Sequence, residues 1–212
     1  MKKIFLKAAL FITIFTFAQD KKAQELLDEV SEKIKSYKDI TLDFSYNLQN
    51  TKEKINKTST GKVILRNNLY YLDFMQTTKI FDGKKTYTIV PEDEEVSVSK
   101  FDETDENAIT PSKMLIFFKK GYTYKMDAEK TIKGKTIQYV KLIPISSKDA
   151  RKEILLGIDK KTKNIYNLVE TAKNNSKTTL TVNSIKTNQN IQDKQFTFDQ
   201  SKYKKYYINN ID

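Results

Sequence analysis

The hydrophobic period of this chain changes once, near residue 39, from 3.6 to 2, and then stays short almost to the end. Before the change, Leu26, Leu27, Val30, Ile34 and Tyr37 fall at helical spacing among Lys, Glu and Asp, which predicts one amphipathic helix over Asp20 to Tyr37. After it, Ile40, Leu42, Phe44, Tyr46 and Leu48 alternate with Thr41, Asp43, Ser45 and Asn47, the pattern of a half-buried strand. A chain with this pattern must place most of its residues in a sheet with one greasy and one wet face.

Turn residues cut the remainder into short strands. Gly61 to Leu65 and Leu69 to Met75 flank Arg66-Asn67-Asn68, where asparagine tolerates positive φ. Lys79 to Phe81 and Lys85 to Val90 flank Asp82-Gly83, a hairpin signal, and Val96 to Phe101 resumes after Pro91. An acidic stretch, Asp102 to Asn107, breaks the pattern. Thr110 and Pro111 then open a short apolar helix through Met114, Leu115, Phe117 and Phe118, which Gly121 stops. Tyr122 to Met126, Thr136 to Ile143, Glu153 to Ile158, Ile165 to Glu170 and Thr178 to Thr187 follow as strands, and Phe196 to Phe198 reads as a last one before a polar tail. The expected fold is mainly β with a few helices: about eleven strands in one curved antiparallel sheet, closed or half-closed into a barrel. A barrel that wide is not filled by its own side chains. The two apolar-faced helices are the expected plug, with an apolar cavity beneath them.

The first residues address the compartment. Lys2, Lys3 and Lys7 precede an apolar run from Ala8 to Phe17, and Thr16-Phe17-Ala18 offers small residues where a signal peptidase cuts. Residues 1–18 are read as a signal peptide and 19–212 as a single domain, exported to the periplasm. Cysteine and histidine are both absent. That removes disulfides, Ser-His-Asp and Cys-His nucleophiles and His- or Cys-ligated zinc. Acidic clusters at Glu92 to Glu95 and Asp102 to Glu106 lie in predicted loops, where nothing apolar shifts a carboxyl into acid–base service. No enzyme activity and no cofactor are expected. The formal charge is +11 and falls to +8 without Lys2, Lys3 and Lys7. Nucleic acid is not expected for an exported chain; an anionic membrane surface, an acidic partner or a general lysine bias remain as readings of the charge.

Four segments in order, GKVILRNNLYYLDF (61–74), FDGKKTYTIVPEDEEVSV (81–98), TPSKMLIFF (110–118) and KQFTF (194–198), resemble the outer-membrane lipoprotein carrier proteins, the LolA-like family. The resemblance implies an unclosed antiparallel barrel with a helical lid over an apolar cavity. It also implies a shuttle that takes acylated lipoproteins from an inner-membrane ABC transporter to an outer-membrane acceptor, acting as a monomer. The alternative on the same half-barrel is a periplasmic carrier or sensor of another lipid.

By that resemblance Tyr70, Leu72 and Phe74, which share one strand face, line the cavity, with Ile80, Tyr87, Ile89, Met114, Leu115 and Phe118 as further ligand-binding candidates; ordinary core is the competing reading for each. Of the 38 basic residues all but Arg66 and Arg151 are lysine, so arginine marks places that need a planar multi-donor fork. The resemblance assigns Arg66 the role of latch between lid and barrel. The pattern departs there: Asn67 stands where the family's Pro follows, and one residue is missing.

Overall fold

The computed structural model describes residues 20–101 and 115–211. The signal peptide read over residues 1–18, and Met114 with the start of the lid helix, lie outside them.

Twelve strands form one sheet. In chain order they are β1 (Ile40–Asn50), β2 (Ile55–Arg66), β3 (Leu69–Phe74), β4 (Thr77–Phe81), β5 (Lys85–Val90), β6 (Glu95–Lys100), β7 (Tyr122–Ile132), β8 (Lys135–Pro144), β9 (Arg151–Asp159), β10 (Ile165–Ala172), β11 (Lys177–Thr187) and β12 (Tyr207–Ile211). Their spatial order is β12-β6-β5-β4-β3-β2-β1-β11-β10-β9-β8-β7, so the sheet curves without closing. Neighbours are antiparallel except at one edge, where β12 pairs parallel with β6. The sequence expectation of a polar tail fails here. Ile208 in that tail packs against the sheet, and the rest of β12 is held by backbone pairing, which leaves no hydrophobic period to read.

The helix predicted before residue 39 is α1 (Lys21–Lys35), and it explains why one edge of the sheet stays unpaired. The Asp20 carboxylate accepts hydrogen bonds from Lys22 N (3.1 Å) and Ala23 N (3.2 Å), capping the helix. Its other oxygen accepts from Met126 N (2.9 Å), and Asp20 N donates to Tyr124 O (3.4 Å). One residue thus caps the helix and occupies the open edge of β7, a position that invites pairing with a foreign strand. These N–H groups hold the Asp20 carboxyl below its ordinary 3.8, Met126 first and Ala23 next. A carboxyl depressed in the folded state stabilises the fold above the ordinary value and loses that contribution as the pH falls through the folded one. Asp20→Ala should cost about 1–2 kcal/mol and flatten the acid limb of the melting-temperature profile between pH 5 and 2, where wild type is steeper; identical profiles would refute the role.

Each face of the sheet carries its own apolar cluster, and register assigns residues to faces. On the inner face, Ala23, Leu26, Leu27 and Val30 of α1 pack on Val140, Leu142, Ile154, Leu156 and Ile158 of β8 and β9. Farther along the same face lie Ile40, Leu42, Phe44, Val63, Leu65, Tyr70 and Phe81. Cross-strand pairs Phe44↔Val182, Leu180↔Leu168, Leu168↔Leu156 and Leu156↔Val140 join the two clusters into one continuous apolar surface. On the outer face, Ile80, Ile89, Val96 and Val98 are covered by Phe198, Tyr203, Tyr206 and Ile208 of the C-terminal segment.

Candidate functional site

The inner face is fully covered at its flanks and half-covered between them. Along β1, Ile40, Leu42 and Phe44 are buried, but Tyr46 and Leu48 are only half-buried. Leu72, Phe74, Leu180, Val182 and Ile185 around them are also half-buried apolar side chains. This gives a trough of hydrocarbon and aromatic surface with α1 on one bank and β3–β4 on the other.

Gly61 sets the depth of that trough. It pairs with Phe44 on one side and Phe74 on the other. Both rings lean over it, since a Cβ built there would stand 2.4 Å from the Phe44 ring and 2.9 Å from the Phe74 ring. A glycine inside a strand marks such a close approach. The two rings sit 5.4 Å apart, and Tyr46 meets Phe74 edge-on at 5.4 Å, in the spacing range of favourable aromatic pairs. A second aromatic run, Tyr70–Phe81 at 5.5 Å and Phe81–Phe101 at 4.9 Å, continues the surface towards residue 101.

The described end of the lid helix lies over this surface. Leu115 packs on the β1–β4 cluster, and Phe118 is wholly buried in the α1 cluster. Tyr124 Oη donates to Phe118 O at 2.7 Å, and Lys119 Nζ donates to Asp28 of α1 at 2.6 Å, so this stretch is tied to both helix and sheet. Between α1 and Leu115 opens a pocket of about 230 Å³ lined by Ile34, Tyr37, Ile40, Leu65, Leu115 and Ile116, with Lys35 and Lys38 among its polar lining.

Tyr70, Leu72 and Phe74 therefore fall together on the inner face, with Leu115 and Phe118 above it. Ile80, Tyr87 and Ile89 do not join them. Tyr70 pairs with Phe81, while Tyr71 pairs with Ile80 and Ile80 with Tyr87, so these residues point to the other side of the sheet. A one-residue offset reverses the face, and hydrophobicity alone could not distinguish Ile80 from Phe81. Tyr87 stacks on Phe198 at 4.6 Å, and burial, with Asp82 beside it, pushes its phenol up. Phe44, Tyr46, Gly61, Leu180 and Val182 of the trough had not been singled out. The lone glycine inside an alternating strand was their one local signal.

Arg66 does make the fork that its rarity suggested, but all its described partners lie in the C-terminal segment. Nη1 donates to Ile191 O at 2.6 Å, Nη2 donates to the Asp193 carboxylate, and the guanidinium lies 5.1 Å from the centre of the buried Phe196 ring. The buried Asp39 carboxylate holds the same segment by accepting from Gln189 N (2.7 Å) and Ile191 N (3.4 Å).

Among the described residues no group of three His, Cys, Asp or Glu is placed to hold a metal, and no helix is long and apolar enough to cross a membrane. The family described as "Outer membrane lipoprotein carrier protein LolA" matches residues 14–170. No curated protein matches the sequence. Among solved structures, an uncharacterized conserved protein from Thermus thermophilus aligns with a TM-score of 0.56 at 12% identity, covering 90% of this chain and 100% of its own. LprF from Mycobacterium bovis aligns at 0.49 and 13% identity, over 82% of this chain and 96% of that one. A LolA superfamily protein from Nitrosomonas europaea aligns at 0.43 and 11%, over 84% and 98%.

Proposed function

Because the chain belongs to the outer membrane lipoprotein carrier protein LolA family, we propose that it is a non-catalytic periplasmic carrier. It receives acylated lipoproteins released by an inner-membrane ABC transporter, shelters their acyl chains in the inner-face trough, and delivers them to an outer-membrane acceptor. The observation that carries this reading is the half-covered apolar surface around Tyr46, Leu72, Phe74, Leu180 and Val182. Ordinary core packs to crystal-like density, whereas these side chains remain partly accessible. Each methylene moved from water into such a surface contributes about 0.8 kcal/mol, so one C16 chain contributes on the order of 10 kcal/mol before ordering costs. That is strong enough to hold cargo, and a competing apolar acceptor can reverse it.

The protein purified from its periplasm should carry diacyl or triacyl lipopeptides, read by native mass spectrometry after gentle extraction. Free phospholipid or fatty acid as the only bound species would turn the reading to a carrier of another lipid. Protein recovered uniformly empty, and unable to take up a synthetic triacyl lipopeptide, would reject acyl carriage altogether.

A further inference from the structure

At the β8–β9 turn two isoleucines point away from the protein. Ile143 is 43% exposed and Ile145 is 68% exposed, while Leu142 between β7 and β9 is fully buried on the inner face. They stand two residues apart on the outer side of the sheet, so both present to the same direction. Their exposure is not that of a loose loop. Ile145 N donates to Gly121 O at 2.9 Å, which extends the strand ladder past Pro144. The turn beyond is braced throughout: Lys148 N to Ser146 Oγ at 3.3 Å, Lys173 Nζ to Ser147 O at 2.6 Å, and Lys173 N to Ala150 O at 2.9 Å.

The charge around them has one sign. Lys120 adjoins Gly121, Lys125 stands two residues from Thr123, the partner of Ile143, and Lys148 lies in the turn. All three are exposed, and none has a carboxylate partner among the described residues. The carboxylate of the turn, Asp149, is gripped by Arg151 through Nε at 2.8 Å and Nη2 at 2.6 Å. That guanidinium holds its carboxyl down to about 2, so its charge is permanently matched. Rigidly displayed aliphatic side chains ringed by lysines suit an interface where hydrocarbon lies just below negative headgroups.

We propose that this corner, Ile143 and Ile145 with Lys120, Lys125 and Lys148, docks the protein on a bilayer containing anionic lipid. The isoleucines enter the boundary between headgroups and acyl chains, and the lysines lie at the phosphate level. The corner is on the outer face and separate from the trough, so docking is measured on cargo-free protein and stands or falls independently of acyl carriage.

Co-sedimentation with vesicles of phosphatidylcholine containing 30% phosphatidylglycerol, against phosphatidylcholine alone, tests the surface. Wild type should bind the anionic vesicles at least tenfold more tightly, with affinity falling as salt rises. The double variant I143D/I145D should lose at least tenfold of that binding while keeping its circular dichroism spectrum and melting temperature. Met75, 52% exposed at the β3–β4 turn, supplies the control: M75D should bind as wild type does. No preference for anionic vesicles, or equal losses in M75D and I143D/I145D, would overturn the proposal. So would a concentration-dependent dimer that I143D/I145D abolishes, which would assign the corner to a second copy of the chain.

Discussion

Leu180→Glu should leave the sheet folded and lower the affinity for an acyl chain by about two orders of magnitude. Leu180 sits on the inner face opposite Tyr46 and Leu168, half-buried, with Val182 beside it. An empty trough lets a carboxylate there stay hydrated, so the cost to folding is small. A bound acyl chain strips that water, and an unpaired buried charge costs several kcal/mol; about 2.7 kcal/mol already corresponds to a hundredfold in affinity. The choice of position matters. Leu72 is directly opposite Lys79, which would pair with a glutamate and mask the effect. Titration of a fluorescent acyl probe checks the prediction, with the far-ultraviolet spectrum as the control for folding. Wild-type affinity in a folded Leu180→Glu protein would mean that acyl chains do not lie along β11.

The second large effect is expected at Arg66. Arg66→Leu removes three contacts at once, and they are unequal. Asp193 is 89% exposed, so its ion pair contributes less than about 1 kcal/mol. The Ile191 carbonyl and the face of buried Phe196 supply the rest, bringing the loss to about 2 kcal/mol. In a domain of this size that lowers Tm by about 4–8 °C. The local effect should exceed the global one. The segment from residue 188 to 211 follows β11, turns at Asp39 and Arg66, and ends as β12 on the opposite edge of the sheet. Without the fork, hydrogen exchange should rise first in that segment, exposing Ile80, Tyr87 and Ile89 beneath it. Arg66→Lys should restore little, because one ammonium cannot serve a carbonyl, a carboxylate and a ring face together. Uniform exchange across the whole sheet in Arg66→Leu would show that the residue supports the fold generally and does not clamp this segment.

The sequence carried the architecture where side-chain chemistry is periodic. The helix before residue 39 and the alternation of β1 were legible because one face of each is apolar. The turns at Asn67, Lys133-Gly134 and Asn175 were legible because their positive φ needs those residue types. Legibility failed where pairing is made by the backbone. Residues 55–60 were passed over because their side chains are mostly exposed and polar, yet they continue β2 along β1 from Asn56↔Gln49 to Thr60↔Ser45. For the same reason β12 looked like a tail. The stretch Phe196 to Phe198 looked like a strand because two phenylalanines alternate, but Phe196 ends a 3₁₀ turn under Arg66 and Phe198 stacks on Tyr87.

The trough was legible as a class of surface but not as a list of residues. Tyr70, Leu72 and Phe74 share a face by simple alternation, and that much follows from one strand. Which residues of other strands join them depends on register, and register depends on turn lengths that the sequence does not state to within one residue. Hence Ile80, Tyr87 and Ile89 were grouped with the wrong face, while Phe81 and Val182 were overlooked.

Photo-crosslinking with a triacyl lipopeptide bearing a diazirine at the end of one acyl chain tests the central claim most directly. The account predicts adducts on peptides of β1, β3 and β11, at or beside Tyr46, Phe74 and Leu180. Adducts confined to the outer-face cluster around Tyr87, Phe198 and Tyr203, with none on the inner face, would contradict it.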